Sequence, residues 1–283
     1  MEIIKLNNGV EMPILGLGVM QMMGEACTGA VLDAIDAGYR MFDTAELYGN
    51  EQAVGNAIKQ SPISREELFI TTKFGSKEAG YEKTKEAFKR SMDALQLEYL
   101  DLYLIHQPFG DIFGSWRAMQ ELYHEGKIKA IGVCNFMPDR LMDLISNSGF
   151  IPAVNQIEVH PYHQQVETQR FLQENQVQIE AWSPFAEGIH GMFTHAVLKS
   201  IGEKYDKSVA QVILRWLTQR GIVAIPKTIN KERMKENIDI FNFSLDTDDL
   251  ERIQSLETGQ SVFFSHRDPA IVKWMSEYGW LNS

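Results

Sequence analysis

The chain has 283 residues, 44% hydrophobic and 23% charged, enough apolar material for a sizeable core. Its formal net charge of −11 argues against nucleic acid as a partner and makes any local cluster of cations informative. No apolar run is long enough to span a bilayer, "MEIIKLNNGV" lacks the features of a signal peptide, and two cysteines, Cys27 and Cys134, support no disulfide framework, so a cytoplasmic protein without a membrane partner is expected.

In chain order, "MEIIKL-NNG-VEMPIL" reads as a short hairpin with an Asn-Asn-Gly turn. "ILGLG" is a short strand candidate. It is followed by seven strand-like runs: "RMFDT", "LFITTK", "LDLYLIH", "IKAIGVCN", "AVNQIEV", "VQIEAWS" and "IVAIPK". Helical patterns lie between them. "YEKTKEAFKRSMDAL" carries Phe88, Met92 and Leu95 on one face. "SVAQVILRWLTQRG" opens on a capping box of Ser208 and Gln211, bears the apolar stripe Val209, Val212, Ile213, Trp216 and Leu217, and closes at Gly221. Gly38 and Gly126 close other helices in the same way.

The strands are near-continuous apolar runs, as buried parallel strands should be. Eight βα units in one undivided chain predict an α/β protein with a (βα)8 barrel, a single domain over residues 1–283. An open doubly wound sheet fits less well, because "GLGVMQMMG" does not match a G-x-G-x-x-G fingerprint.

The runs end in Asp43, Lys73, His106, Asn135, Glu158, Ser183 and Lys227, which predicts a ring of polar groups around one barrel mouth. Asp43 and Lys73 end consecutive strands, and neighbouring strands lie ~4.8 Å apart, so the two side chains can pair. Tyr48 follows on the next loop. A cation beside it would lower its pKa from about 10 and suit it to protonate a carbonyl oxygen, to which His106 could also donate a hydrogen bond. "KTINKERMK" follows a strand and enters a helix, which in an acidic chain predicts an anion site.

"FDTAELYGNE", "TTKF", "LDLYLIHQP", "GVCNF", "NQIEVHPY" and "IPKTINKERMKEN", in that order, resemble the aldo-keto reductase superfamily, in particular its small bacterial diketogluconate and methylglyoxal reductases. The resemblance runs from about Gly16 to about Leu256. It implies a barrel that binds NADPH across the strand ends and reduces aldehydes or ketones to alcohols. It implies a catalytic tetrad of Asp43, Tyr48, Lys73 and His106, with Tyr48 as general acid. Asn135 and Gln156 would hold the nicotinamide carboxamide, and Trp182 would stack under the nicotinamide with Ser183 beside it. Lys227, Thr228 and Arg233 would grip the 2′-phosphate, with Glu236 and Asn237 on the adenine. Met20 and Gln107 stand in the substrate pocket where many members have tryptophan, and Cys134 stands where many have serine. A small aldehyde, α-dicarbonyl or keto-sugar is the expected substrate and a monomer the expected state.

Other readings stay open at this level. Glu158 and His160 with His163 could suggest a metal, although the resemblance offers a structural role and no metal. Cys134 could be a nucleophile, although no activating partner is evident. The aromatic tail "VFFSHRDPAIVKWMSEYGW" fits packing on the barrel's side as well as a C-terminal loop over the mouth. A Schiff-base aldolase with Lys73 or Lys227 as nucleophile, and a non-catalytic NADPH-binding module, are the competing functions.

Overall fold

The computed structural model describes residues 2–278; Met1 and residues 279–283, which include Trp280 of the aromatic tail, lie outside the described residues. Strands β1 (Ile3–Lys5) and β2 (Glu11–Pro13) pair antiparallel around the expected turn, where Gly9 takes a φ of +90° that glycine adopts without strain. Asn7 and Asn8 donate to the carbonyls of Pro152 and Lys129, and Leu6 and Met12 are buried with Met41 and Phe69. The hairpin therefore plugs one end of the barrel.

The eight parallel strands follow in sequence order: β3 (Leu17–Gly18), β4 (Met41–Asp43), β5 (Phe69–Phe74), β6 (Leu100–Ile105), β7 (Ile128–Cys134), β8 (Val154–Glu158), β9 (Gln178–Trp182) and β10 (Val223–Ala224). From β4 onward each pairs with its predecessor, and the sheet curls until its edges meet. Gly16 N–H donates to the Ala224 carbonyl at 2.9 Å, Ala224 N–H to Ile14 at 3.0 Å, and Gly18 N–H to Pro226 at 3.1 Å. The α/β barrel expected from the strand pattern is present. β10 is shorter than "IVAIPK" suggested, since Pro226 has no N–H to continue the ladder.

The helices α1 (Gly24–Asp36), α2 (Glu51–Gln60), α3 (Tyr81–Leu95), α4 (Ile112–His124), α5 (Pro138–Ser148), α6 (Val166–Glu174), α7 (Ala196–Tyr205), α8 (Val209–Gln219), α9 (Lys231–Ile238), α10 (Thr247–Gln254) and α11 (Pro269–Tyr278) complete the described chain. α3 has the predicted bounds, with Phe88 and Leu95 buried and Met92 packed against the core. In α8, the Ser208 hydroxyl accepts from Gln211 N–H and the Gln211 side chain accepts from Ser208 N–H, so the capping box forms as the sequence predicts.

Two apolar clusters result. The larger joins the outer faces of the strands to the helices. The smaller fills the barrel and includes Met41, Phe69, Leu102, Leu104, Ala130, Cys134, Val154, Val223 and Ile225. Side chains alternate along each strand, so the residues that continue this inner set towards the strand ends face the mouth.

The barrel wall leaves little room at Gly132 on β7. A Cβ there would lie 2.6 Å from the Val154 carbonyl oxygen and 2.8 Å from a Leu104 methyl. Gly132→Ala should therefore destabilise the protein by about 1–3 kcal/mol through overpacking. Thermal unfolding followed by circular dichroism would show a lower midpoint, and an unchanged midpoint would mean that the wall yields at this point.

Candidate active site

β4 delivers Asp43 and β5 delivers Lys73 to the inner face. Asp43 lies opposite Thr71 in register, so Lys73 stands one inward step nearer the mouth. The Lys73 Nζ is 2.5 Å from Asp43 Oδ1 and donates to the Thr44 carbonyl at 2.8 Å. Lys73 is fully buried and Asp43 nearly so. The pairing predicted from adjacent strand ends is formed.

Tyr48 follows on a short helical turn, Glu46–Tyr48, closed by Gly49 in the left-handed conformation. Asn50 fixes this loop: it accepts from the Thr44 hydroxyl at 2.6 Å and donates to the Val19 and Met22 carbonyls. Lys73 Nζ lies 5.1 Å from the Tyr48 ring centroid, and the His106 ring meets the Tyr48 ring edge-on at 5.8 Å. One expectation needs correction. Burial pushes the Tyr48 phenol up to about 12, and Lys73 pulls it down only in part. Tyr48 is therefore a fully protonated acid at neutral pH. Burial, with help from the charge on Lys73, holds His106 well below the ordinary imidazole range, so its ring is neutral.

The other residues singled out from sequence divide into two groups. Met20, Gln107, Asn135, Gln156, Trp182, Ser183, Lys227 and Arg233 line the cavity that holds Asp43, Tyr48 and His106. Thr228, Glu236 and Asn237 lie outside that lining, on the loop before α9 and on α9 itself. Asn135 takes a positive φ of 62° and accepts from the Trp182 indole N–H at 2.9 Å, which ties two expected cofactor contacts together. Gln156 departs from expectation. Its amide nitrogen donates to Asp43 Oδ2 and to Glu180 Oε2, each at 2.9 Å, so only its carbonyl oxygen can face a carboxamide. Cys134, at 3.9 Å from that oxygen, is a neutral thiol because burial raises its pKa well above the usual range, which removes the nucleophile reading.

At the far end of the cavity, Lys227 lies beyond the end of β10 and donates to Gln21 at 2.7 Å. The Thr228 hydroxyl accepts from Asn230 N–H, and the Asn230 side chain accepts from Arg233 N–H as the cap of α9. Lys227 and Arg233 are exposed. Two cations beside a helix start, at the edge of the cavity that contains Tyr48, fit the phosphate end of a dinucleotide.

The cavity has a volume of about 460 Å³, and Phe263 of the C-terminal tail helps to wall it, 5.4 Å from Trp182. Glu158 holds that tail: it accepts from the Ser261 hydroxyl at 2.6 Å and from Val262 N–H at 3.1 Å, and pairs with His160 at 2.9 Å. The role of Glu158 is that of an anchor, and the loop over the mouth is present. The sequence does not single out Phe185, Phe193, Glu187 or Glu180. Only Glu180 carries a signal, as a charge inside the apolar run "VQIEAWS".

Among the described residues no helix is long and apolar enough to cross a membrane. The profile of the aldo/keto reductase family matches residues 15–258. Glyoxal reductase of Bacillus subtilis (strain 168) is 48% identical over 263 residues, covering 92% of this chain and 95% of that protein. The crystal structure of an aldo-keto reductase enzyme from a Medee basin deep-sea metagenome library superposes with a TM-score of 0.90 at 43% identity, covering 94% of this chain and 98% of the other. An aldo-keto reductase complexed with NADPH superposes with a TM-score of 0.88 at 32% identity over 99% of this chain and 93% of the other.

Lys73→Met would leave Asp43 without its counter-ion in the barrel. Removing one partner of a buried pair costs roughly 3–5 kcal/mol, so this variant should melt well below wild type. Asp43→Asn keeps an acceptor for Lys73 and should be milder. Calorimetry of both variants checks the pairing, and wild-type melting of both would refute it.

Proposed function

The chain belongs to the aldo/keto reductase family, and on that footing we propose how its own residues perform NADPH-dependent reduction of an aldehyde or ketone to an alcohol. The observation that carries the proposal is the buried Lys73–Asp43 pair at 2.5 Å beneath the Tyr48 ring. NADPH, when bound, supplies the hydride. Tyr48 donates its phenol proton to the carbonyl oxygen as that oxygen gains charge, and the Lys73 ammonium stabilises the phenolate left behind. Asp43 keeps Lys73 in place. His106, neutral, donates a hydrogen bond that orients the same oxygen. Asn135 and the Gln156 carbonyl oxygen would hold the carboxamide, Trp182 and Ser183 would flank the ring, Lys227, Thr228 and Arg233 would take the 2′-phosphate, and Glu236 and Asn237 would contact the adenine.

The Schiff-base alternative is disfavoured by charge. Burial works to strip the Lys73 proton, but Asp43 and Tyr48 together hold its pKa above the ordinary lysine value. An ammonium has no lone pair with which to attack a carbonyl. Lys227 is exposed and outside the buried cluster.

We take the substrate to be a small α-dicarbonyl or keto-sugar. The cavity wall sets Met20, Phe185, Phe193 and Phe263 beside many polar side chains. Among these is Gln107, only 3% exposed, whose amide oxygen and nitrogen have no partner among the described residues. An unsatisfied buried amide is costly; a second oxygen next to the reacting carbonyl would accept from its nitrogen, and a sugar hydroxyl would donate to its oxygen. Bacillus subtilis glyoxal reductase, the relative named above, bears a name of the same substrate class. The working unit in this reading is one chain, residues 1–283, as a single barrel domain acting in the cytoplasm as a monomer. Every proposed residue comes from the same barrel, so one chain is sufficient.

NADPH absorbance against small aldehydes, α-dicarbonyls, keto-sugars and steroids tests the reaction, with α-dicarbonyls or keto-sugars expected to lead in kcat/KM and a steroid preference ruling the pocket reading out. Under the same assay Tyr48→Phe should keep NADPH affinity and lose on the order of 10²–10⁴-fold in turnover, the range of general acid catalysis. Turnover within a few-fold of wild type would remove Tyr48 from proton transfer. Arg233→Ala should weaken NADPH by roughly 10–100-fold, as expected for one charged contact of about 1.5–3 kcal/mol. NADH, which has no phosphate there, should barely change. Fluorescence titration of both cofactors decides this, because an equal loss would mean that Arg233 only shapes the loop.

A further inference from the structure

Beneath the Asp43–Lys73 pair the barrel holds a second carboxyl group. Glu180, in the middle of β9, lies opposite Gln156 in register and is fully buried. Its Oε2 accepts from Gln156 Nε2 at 2.9 Å, and the same nitrogen donates to Asp43 Oδ2 at 2.9 Å. Its other oxygen, Oε1, has no hydrogen-bond partner among the described residues. The titratable groups around it are Asp43 on β4, Lys73 on β5 and Cys134 on β7, with Gln156 on β8 as its hydrogen-bond donor. Tyr48 faces Lys73 from the loop above, and the residue beside Glu180 on β10 is Val223.

This cluster has one cation for two carboxyl groups. Asp43 holds that cation at 2.5 Å, whereas Glu180 touches only an amide. A second carboxylate there would be a buried charge without a counter-ion, which a low-dielectric interior resolves by keeping the proton. We propose that Glu180 is a positioning residue of the reaction centre: as a neutral carboxylic acid it fixes Gln156 against Asp43 and leaves Asp43 as the single anionic partner of Lys73. The proposal rests on the reading of Lys73 as the group that stabilises the Tyr48 phenolate. Burial pushes the Glu180 carboxyl up to about 8, Asp43 pushes it the same way, and Gln156 and Lys73 oppose the shift. Above that pH, Glu180 becomes a second anion near Lys73. Lys73 is then shared between two carboxylates, the phenol becomes a weaker acid, and proton donation slows.

The sign of the stability effect follows from the same shift. The folded carboxyl keeps its proton to a higher pH than the unfolded one, so the wild type loses stability as pH rises from the ordinary glutamate value of 4.5 towards about 8. Glu180→Gln and Glu180→Met carry no titrating group there.

Three measurements test the proposal. Infrared difference spectra of wild type minus Glu180→Gln, or minus Glu180→Met if glutamine does not fold, should show a protonated carboxyl C=O band at neutral pH that titrates near pH 8. Over pH 5 to about 8 the melting temperature of wild type should fall relative to both variants. At saturating NADPH the wild-type kcat should drop on the order of 3–10-fold through this ionisation, the effect of about one unit on the phenol, and Glu180→Gln should not share the drop. An ionised carboxylate at neutral pH, parallel melting profiles, or a kcat profile identical in wild type and Glu180→Gln would each overturn it. The first two readouts involve no turnover. A protein inactive towards every carbonyl would overturn the proposed reaction, whereas loss of the infrared band would overturn only the role of Glu180.

Discussion

Lys73 is a cation with no access to solvent, and Asp43 is 2.5 Å away. Either charge alone in the barrel would cost several kcal/mol, so each depends on the other for its place there. The pair constrains everything around it. It requires two adjacent strands to end in register with their inner faces aligned, which the parallel ladder of β4 and β5 provides. It sets the charge that Tyr48 and His106 experience at the mouth. It also limits how many further anions the interior can hold, and this separates Glu180 from Asp43 although both bond to one amide nitrogen.

The same alternation that makes the barrel wall apolar turns polar at the strand ends. Inner positions low in the barrel are Met41, Phe69, Leu102 and Val154, while the continuation towards the mouth brings Asp43, Lys73, Gln156 and Glu158. Glu158 contributes in a different way from the others. It binds the tail through Ser261 and Val262, and so brings Phe263 over Trp182. A wall of the cavity therefore comes from a segment more than a hundred residues away in sequence, held by one buried carboxylate. An enclosed site strengthens electrostatic interactions because less water screens them.

The two ends of the cavity use opposite electrostatic strategies. At the Tyr48 end the charges are buried, paired and few. At the Arg233 end the cations are exposed, on a loop and a helix start, in a protein of net charge −11. A buried pair can tune the acidity of a neighbouring group at fixed geometry. An exposed pair of cations can recognise a phosphate at little desolvation cost and release it again.

The barrel, the capping of α8, the length of α3 and the placement of Asp43, Lys73 and His106 at successive strand ends, with Tyr48 on the loop after Asp43, are legible along the chain. Those features rest on local periodicity and on the order of strand ends, and both are visible along the chain. The acidity of Tyr48, the partners of Gln156, the anchoring role of Glu158 and the burial of Glu180 came only from the tertiary structure. The order of strand ends puts a cation beside the phenol, yet how far water is excluded from Tyr48 depends on residues from several strands and a loop, and burial is the larger effect. Gln156 sits at the expected strand position, but the direction of its amide is fixed by two carboxyl groups, 113 residues before it and 24 after it. A single charged letter in "VQIEAWS" does not reveal whether it faces water, a cation or another acid, because that is decided by the residues that barrel closure brings against it.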